Sequence, residues 1–266
     1  NMSSRHYSLF RVGRNFYLSS VLFPRRVRDE VAILYAYVRY VDDLVDCPTP
    51  KVDLFYRVWR ALESAARGGP APPIIAEFVD LAHRRGFQWR DVEAFMESME
   101  MDLYIREYDT YTQLLKYVYG SAEVIGLFMA RILSLPKSAD PYARLLGRAY
   151  QLINMARDVA EDAALGRRYI PEEFLKKAGA GGVAPTEEFA TALRLFLKKY
   201  YEARLAAEAG YRYIPRPYLR AIKTASDIYD ATAWTIWRRP LVVFKRKVRP
   251  HWGYVAGLWL KNWLLP

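Results

Sequence analysis

The sequence predicts an all-α protein, a single helical bundle around a deep central pocket. Three observations point there. Period-two alternation of apolar and polar residues is scarce along the 266 residues, whereas Leu, Ala, Arg and Glu recur at helical spacing. Gly and Pro gather at a few short breaks, with no repeat and no linker-like shift in composition. Many of the helical stretches are apolar on most faces, which suits a central bundle better than helices lying on a sheet.

Pro24 is placed to open the first helix, from about Arg25 to Asp46, because its fixed φ suits a first helical turn and its missing N–H costs nothing there. Pro48 and Pro50 close it. Further helices are predicted over about 52–67, 73–85, 89–106, 110–134, 139–163, 185–213 and 215–237. The breaks fall at Gly68 to Pro70, Arg85-Gly86, Leu135-Pro136, Gly166, and Gly179 to Pro185. The glycines from Gly179 to Gly182 follow a helical pattern and not a strand, so they read as a loop and give no dinucleotide fingerprint. The domain is drawn over residues 1–251, with 252–266 as a Trp- and Leu-rich tail.

Composition narrows the chemistry. Hydrophobic residues make up 52% and charged residues 26%, enough for a sizeable core and unlike a disordered chain. Cys47 is the lone cysteine, which excludes a disulfide framework and a Cys-based zinc site. His6, His83 and His251 lie far apart in sequence and form no HExxH motif. The longest apolar runs, such as Val31 to Val38, reach roughly eight or nine residues, against the ~20 of a membrane span. No basic-then-apolar leader opens the chain, which points to the cytoplasm.

The net charge is +11, and it is unevenly spread. No Asp or Glu follows Asp230, while Arg238, Arg239, Lys245, Arg246, Lys247, Arg249 and Lys261 all do. Such a surface attracts anions, whether lipid, nucleic acid or a polyphosphate substrate. Trp252, Trp259 and Trp263 among leucines resemble an interfacial membrane anchor more than a nucleic-acid groove, so a membrane surface is the expected partner and nucleic acid is not. A C-terminal helix packed on the core is the competing reading.

Two helices carry acids where apolar residues would be expected. At ~100° per residue, Tyr35, Arg39, Asp42 and Asp46 fall within roughly 60° of one another on the first helix. One face thus presents an aromatic, a cation and two carboxylates inside the otherwise apolar segment Val31 to Val45. Buried carboxylates one turn apart repel unless something positive lies between them, and Arg39 cannot easily neutralise Asp42, Asp43 and Asp46 together. By the same arithmetic Gln151, Asn154, Asp158 and Asp162 share a face. Oxygen ligands without sulfur or imidazole suit a hard divalent cation, which would bridge protein carboxylates to a diphosphate.

These segments resemble a known family. Asp42-Asp43-Leu44-Val45-Asp46 and the run from Asn154 to Asp162 look like the two aspartate-rich motifs of the squalene/phytoene synthases. Phe16 to Pro24 resembles that family's N-terminal substrate motif, and Leu34 to Arg39 leads into the first aspartate motif. Tyr119 to Gly126 matches its mid-chain small-residue segment, and Gly166 to Pro171 follows the second motif. The likeness covers about residues 8–250 and is strongest to phytoene synthases of the archaeal type. Gly13 and Asn15 stand where small hydroxyl residues are usual, Ala160 and Glu123 where glycine is.

The resemblance implies an isoprenoid synthase fold and a head-to-head (1′-1) condensation of two prenyl diphosphates. For a phytoene synthase the substrate is geranylgeranyl diphosphate, the intermediate a cyclopropyl diphosphate, the cofactor Mg²⁺ or Mn²⁺, and no reductant is needed. It assigns Asp42, Asp46, Asn154, Asp158 and Asp162 to the metal ions, and Asp42, Asp46, Asp158, Asp162 and Tyr35 to catalysis. Arg14, Arg39 and Arg157 are candidate diphosphate clamps, since guanidinium forks match phosphate geometry, and Gln151 and Asn154 are candidate substrate contacts. By resemblance Tyr229 and a base from Lys245 to Lys247, with Arg246 favoured and Lys247 close behind, close over the second diphosphate. The alternatives are a squalene or dehydrosqualene synthase using farnesyl diphosphate, a head-to-tail elongase, and a non-catalytic basic module that binds membrane or nucleic acid.

Overall fold

The computed structural model describes residues 22–264. Among the described residues twelve α-helices follow in chain order: α1 Arg25–Val45, α2 Val52–Ala66, α3 Pro73–Arg85, α4 Trp89–Tyr104, α5 Tyr111–Val118, α6 Val124–Ile132, α7 Asp140–Arg157, α8 Val159–Ala164, α9 Glu172–Ala178, α10 Glu187–Glu208, α11 Arg216–Arg238 and α12 Trp252–Leu264. Among the described residues the only β pairing is an isolated bridge between Glu107 and Arg168. The all-α prediction therefore holds.

Three predicted helices are interrupted, each for a visible reason. The stretch 110–134 contains a π-helical turn, Tyr119–Glu123, between α5 and α6. Ser98 of α4 donates its hydroxyl to the Tyr117 carbonyl at 3.0 Å, which supplies a partner from outside the helix at the turn where the ladder changes pitch. The stretch 139–163 breaks at Asp158, whose backbone leaves the helix at φ −101° and ψ 13°. Arg157 grips the Asp158 carboxylate through two bonds of 2.8 and 2.6 Å. Neighbouring side chains cannot meet on a regular helix, so this fork goes with the break. The stretch 185–213 ends as α10 and tightens into a 3₁₀ turn, Ala209–Tyr213. Helix α9 and the 3₁₀ turn Pro240–Phe244 were not foreseen from sequence.

Two apolar clusters hold the bundle. One lies among α1 to α4 and α6 and is built on Tyr37, Phe78, Phe95 and Phe128, with Tyr37 and Phe78 stacked at 3.7 Å. The other joins α5, α7, α10 and α11 through Leu152, Ile153, Phe196, Leu197 and Tyr200. Burying side chains of this size contributes ~1.5–3 kcal/mol each against exposure. Between the clusters runs a cavity of about 400 Å³, walled by α1 and α4 on one side and by α7 and α11 on the other. Gly126 lets α6 and α7 approach along it, because a Cβ there would collide with the Ala143 carbonyl oxygen.

The tail is a helix with two characters. Val255, Leu258 and Trp259 pack on Ile228 of α11, and Asn262 is buried with its amide donating to Asp227 at 2.9 Å. Tyr254, Leu260, Trp263 and Leu264 stay exposed. Among the described residues no helix is long and apolar enough to cross a membrane.

Candidate functional site

The predicted acidic face of α1 does look into the cavity, where Tyr35, Arg39, Asp42 and Asp46 all line it. Arg39 does not leave Asp42 and Asp43 bare. It contacts Asp42 at 3.0 Å and Asp43 at 2.6 Å, one nitrogen to each. Asp46 lies just past the last residue of α1 and pairs with Arg167. From the other wall come Gln151, Asn154, Arg157, Asp158, Asp162 and Tyr229. The two acidic helices, remote in sequence, thus face the same cavity.

Arg167 is the centre of the polar mouth. It is buried, and besides Asp46 it approaches Asp162 at 3.8 Å and Asp102 at 3.9 Å. Asp102 comes from α4 as a further carboxylate, only 2% exposed, and it accepts hydrogen bonds from the phenols of Tyr117 at 2.8 Å and Tyr169. Sequence reasoning missed both residues as site members. Arg167 belonged to a segment already quoted for its resemblance, but nothing local said it would turn inward. Asp102 gave a weak signal, an acid on the Phe95, Met99 and Leu103 face of α4.

Electrostatics show how closely these acids gather. Desolvation and the charge of Asp46 push Asp42 up to about 7, against the pull of Arg39. Asp162 also rises to about 7, by burial and by repulsion from Asp158, Asp46 and Asp102, although Arg167 opposes it. Asp102 reaches about 6, raised by burial and held down by its two phenol donors. Against the cost of burial, Arg157 shifts upward through its bond to Asp158, and Arg167 through Tyr169 and then Asp46 and Asp102.

Of the other predicted residues, Gln151 donates to Ser121 at 3.3 Å. Asn154 keeps a buried Oδ1 without a hydrogen-bond partner at the cavity wall. Tyr35 lies near Tyr229, and Tyr229 lies beside Asn154 and Arg157. In the basic triplet Lys247 lies 3.4 Å from Asp158 and 2.7 Å from Glu161, while Arg246 is exposed; neither is among the residues that line the cavity. Arg14, and the part of the N-terminal motif from Phe16 to Val21 with Gly13 and Asn15, lie outside the described residues.

Whether these residues suit a divalent ion is a question of donors and charge. Among the described residues no three acidic, imidazole or thiol side chains already converge on one point. A preformed cage is not required, because Mg²⁺ binds through one or two carboxylates and completes its shell with phosphate oxygens and water. The orphaned Asn154 Oδ1 and the mutual repulsion of Asp42, Asp46 and Asp162 both favour an incoming cation. The donor set is all oxygen, as a hard ion prefers.

An all-helical bundle whose apolar cavity ends in opposed acids and interleaved arginines defines a protein that handles a polyanionic head on a greasy chain. The family model for squalene/phytoene synthase matches residues 9–254, and the chain belongs to that enzyme family. It is 29% identical over 260 residues to the 15-cis-phytoene synthase of Paracoccus sp., covering 92% of this chain and 85% of that protein. It is 34% identical over 179 residues to the presqualene diphosphate synthase of Rhodopseudomonas palustris, covering 65% of this chain and 64% of that one. A crystallised dehydrosqualene synthase superposes with a TM-score of 0.86 at 21% identity over 98% of this chain and 94% of its own, which shows a shared fold. The archaeal-type likeness read from the sequence stays an expectation beside these bacterial relatives. Membership in an enzyme family sets aside the non-catalytic module.

Proposed function

We propose that this chain condenses two molecules of geranylgeranyl diphosphate head to head, forming phytoene through a cyclopropyl diphosphate. The observation that carries the reading is the cavity itself. A polar mouth built from Asp42, Asp46, Asp158, Asp162, Arg39, Arg157 and Arg167 opens into an apolar interior lined by Phe95, Met99, Ile125, Met129 and Leu146. Likeness to phytoene synthases over most of the chain supports the choice of substrate.

Asp42, Asp46, Asn154, Asp158 and Asp162 are the residues that would hold divalent cations. Bound Mg²⁺ or Mn²⁺ would neutralise charge that develops on the diphosphate as the allylic C–O bond breaks. Arg39, Arg157 and Arg167 pair with the same carboxylates, and their guanidinium forks are the groups that would bind phosphate oxygens of the substrate. Lys247 is placed to follow from the Asp158 side. Arg14, Gln151 and Arg246 remain candidate contacts.

The carbocation left behind needs a dry, electron-rich wall. Tyr35, Tyr117, Tyr150 and Tyr229 line the cavity, and each ring face offers ~0.5–2 kcal/mol to a nearby cation. The buried apolar walls keep water from quenching it. No reductant is expected in this reaction.

The test is direct. The purified chain is incubated with Mg²⁺ and either farnesyl or geranylgeranyl diphosphate, with and without NADPH, and the hydrocarbon is identified by mass. Phytoene from geranylgeranyl diphosphate without NADPH is the expected outcome. Presqualene diphosphate, squalene or dehydrosqualene from farnesyl diphosphate would install the second reading, which the Rhodopseudomonas relative favours.

We also infer that the enzyme works at a membrane surface, where so hydrophobic a product can partition. The support is the outer face of α12, with Tyr254, Leu260 and Leu264 exposed, and the acid-free basic segment after Asp230.

A further inference from the structure

We propose that Tyr142 is the end wall of the prenyl-chain cavity and fixes the longest chain the enzyme accepts; this rests on the function proposed above.

Helix α7 runs along the cavity like a ruler. Asp158, just past its C-terminal end, stands at the polar mouth. Asn154, Tyr150, Leu146 and Tyr142 follow it backward at intervals of four, and all five line the cavity. Each step of four turns the face by about 40°, so neighbouring members adjoin and the stripe winds around α7 as it runs from the mouth to Tyr142. From Asp158 to Tyr142 the helix rises about 24 Å. A prenyl chain whose diphosphate sits at the mouth lies along this stripe, and its tail reaches the far end, where Tyr142 in the first turn of α7 lines the cavity together with Leu133, Leu135 and Ala139.

The Tyr142 ring is wedged from outside. Exposed Arg212, on the 3₁₀ turn Ala209–Tyr213, places its guanidinium carbon 5.7 Å from the ring centroid, and its Nη2 donates to the Tyr142 hydroxyl at 3.3 Å. The Tyr213 ring adds a contact at 5.9 Å between centroids. The backbone of the same turn presses on the base of the side chain, since a Cβ on Gly210 would collide with the Tyr142 Cβ. Solvent-exposed Arg212 is on one side of the ring and the cavity is on the other. These contacts oppose an outward swing of the ring that would admit more chain.

One turn nearer the mouth stands Leu146, half-buried because its side chain borders the cavity and not the core. Bulk added there enters the cavity about 6 Å sooner, close to the length of one isoprenoid unit. Two substitutions on one stripe thus move the limit in opposite directions: Tyr142→Ala lengthens the accepted chain and Leu146→Trp shortens it.

The experiment measures kcat/KM of the full chain with Mg²⁺ for farnesyl, geranylgeranyl and geranylfarnesyl diphosphate, with product lengths read by mass. Tyr142→Ala is expected to raise geranylfarnesyl over geranylgeranyl use by about tenfold or more, and Leu146→Trp to raise farnesyl over geranylgeranyl use by a similar factor. Tyr142→Phe, which keeps the ring, restores the wild-type ratio. Ratios unmoved in both Ala and Trp variants, with turnover retained, overturn the end wall and leave the proposed function intact. A wild-type chain that turns over none of the three diphosphates overturns both.

Discussion

Asp42 offers the sharpest test of the acidic mouth, because its charge costs stability unless a cation answers it. Burial and the neighbouring Asp46 lift it from an ordinary 3.8 to about 7. The sign follows from linkage. The folded state holds this proton more tightly than the unfolded chain, so its stabilising effect is complete below the unfolded pKa and fades as pH rises from about 4 to about 7. Above pH 7 the charged group costs ~4 kcal/mol. Asp42→Asn removes that charge while keeping the shape. Arg39 loses one carboxylate but keeps Asp43 at 2.6 Å, a loss of ~1 kcal/mol or less. The repulsion with Asp46 is shared between two groups, which leaves a net gain of ~2 kcal/mol. For a chain of this length that is a rise in Tm of ~4 °C. The assay is thermal unfolding by circular dichroism in EDTA at about pH 8 and about pH 5. The variant should be more stable than wild type at the higher pH and much less so at the lower. With Mg²⁺ and inorganic pyrophosphate the order should reverse, because only the wild type gains the full benefit of ligand. A variant less stable than wild type in EDTA at the higher pH, or an advantage indifferent to pH, would refute the reasoning.

Three further outcomes are expected. Asp158→Ala should abolish diphosphate release while leaving the far-ultraviolet spectrum unchanged, and undiminished turnover would sink its assignment to metal. Arg167→Met should cost ~3–5 kcal/mol in chemical denaturation, since Asp46, Asp102 and Asp162 lose the cation among them; a loss below ~1 kcal/mol would mean the cluster is neutral without it. Leu260→Glu with Leu264→Glu, both on the exposed face of α12, should weaken binding to phosphatidylglycerol vesicles about tenfold or more without disturbing the Val255 and Leu258 contacts. Equal binding by the double variant would reject the membrane face.

Much of this molecule is legible in its sequence. Helical periodicity and punctuation by Gly and Pro gave the all-α class and most element positions, because both depend on local backbone preferences. The two acidic faces were legible for a related reason: a carboxylate repeated every turn inside an apolar helix conflicts with burial, and the conflict shows in sequence. The breaks were less visible. Nothing in the run from Asn154 to Asp162 says that Arg157 will turn onto Asp158 and interrupt the helix. The π turn at Tyr119–Glu123 comes with a hydrogen bond from Ser98, which lies on another helix, to the Tyr117 carbonyl.

What only the tertiary structure decided is which charges meet. Asp102 and Arg167 join Asp46 and Asp162 because α4, the end of α1 and the segment after α8 arrive at one place, and Coulomb attraction acts through space regardless of chain separation. The same holds at the cavity's far end, where Gly210 and Arg212 brace Tyr142 from sequence separations of 68 and 70. Lys247 in place of Arg246 is the smallest instance. Both are basic and adjacent, and only the direction of the backbone chose which one faces Asp158. Local pattern named the chemistry of this protein, and the packing of distant segments determined which side chains carry it.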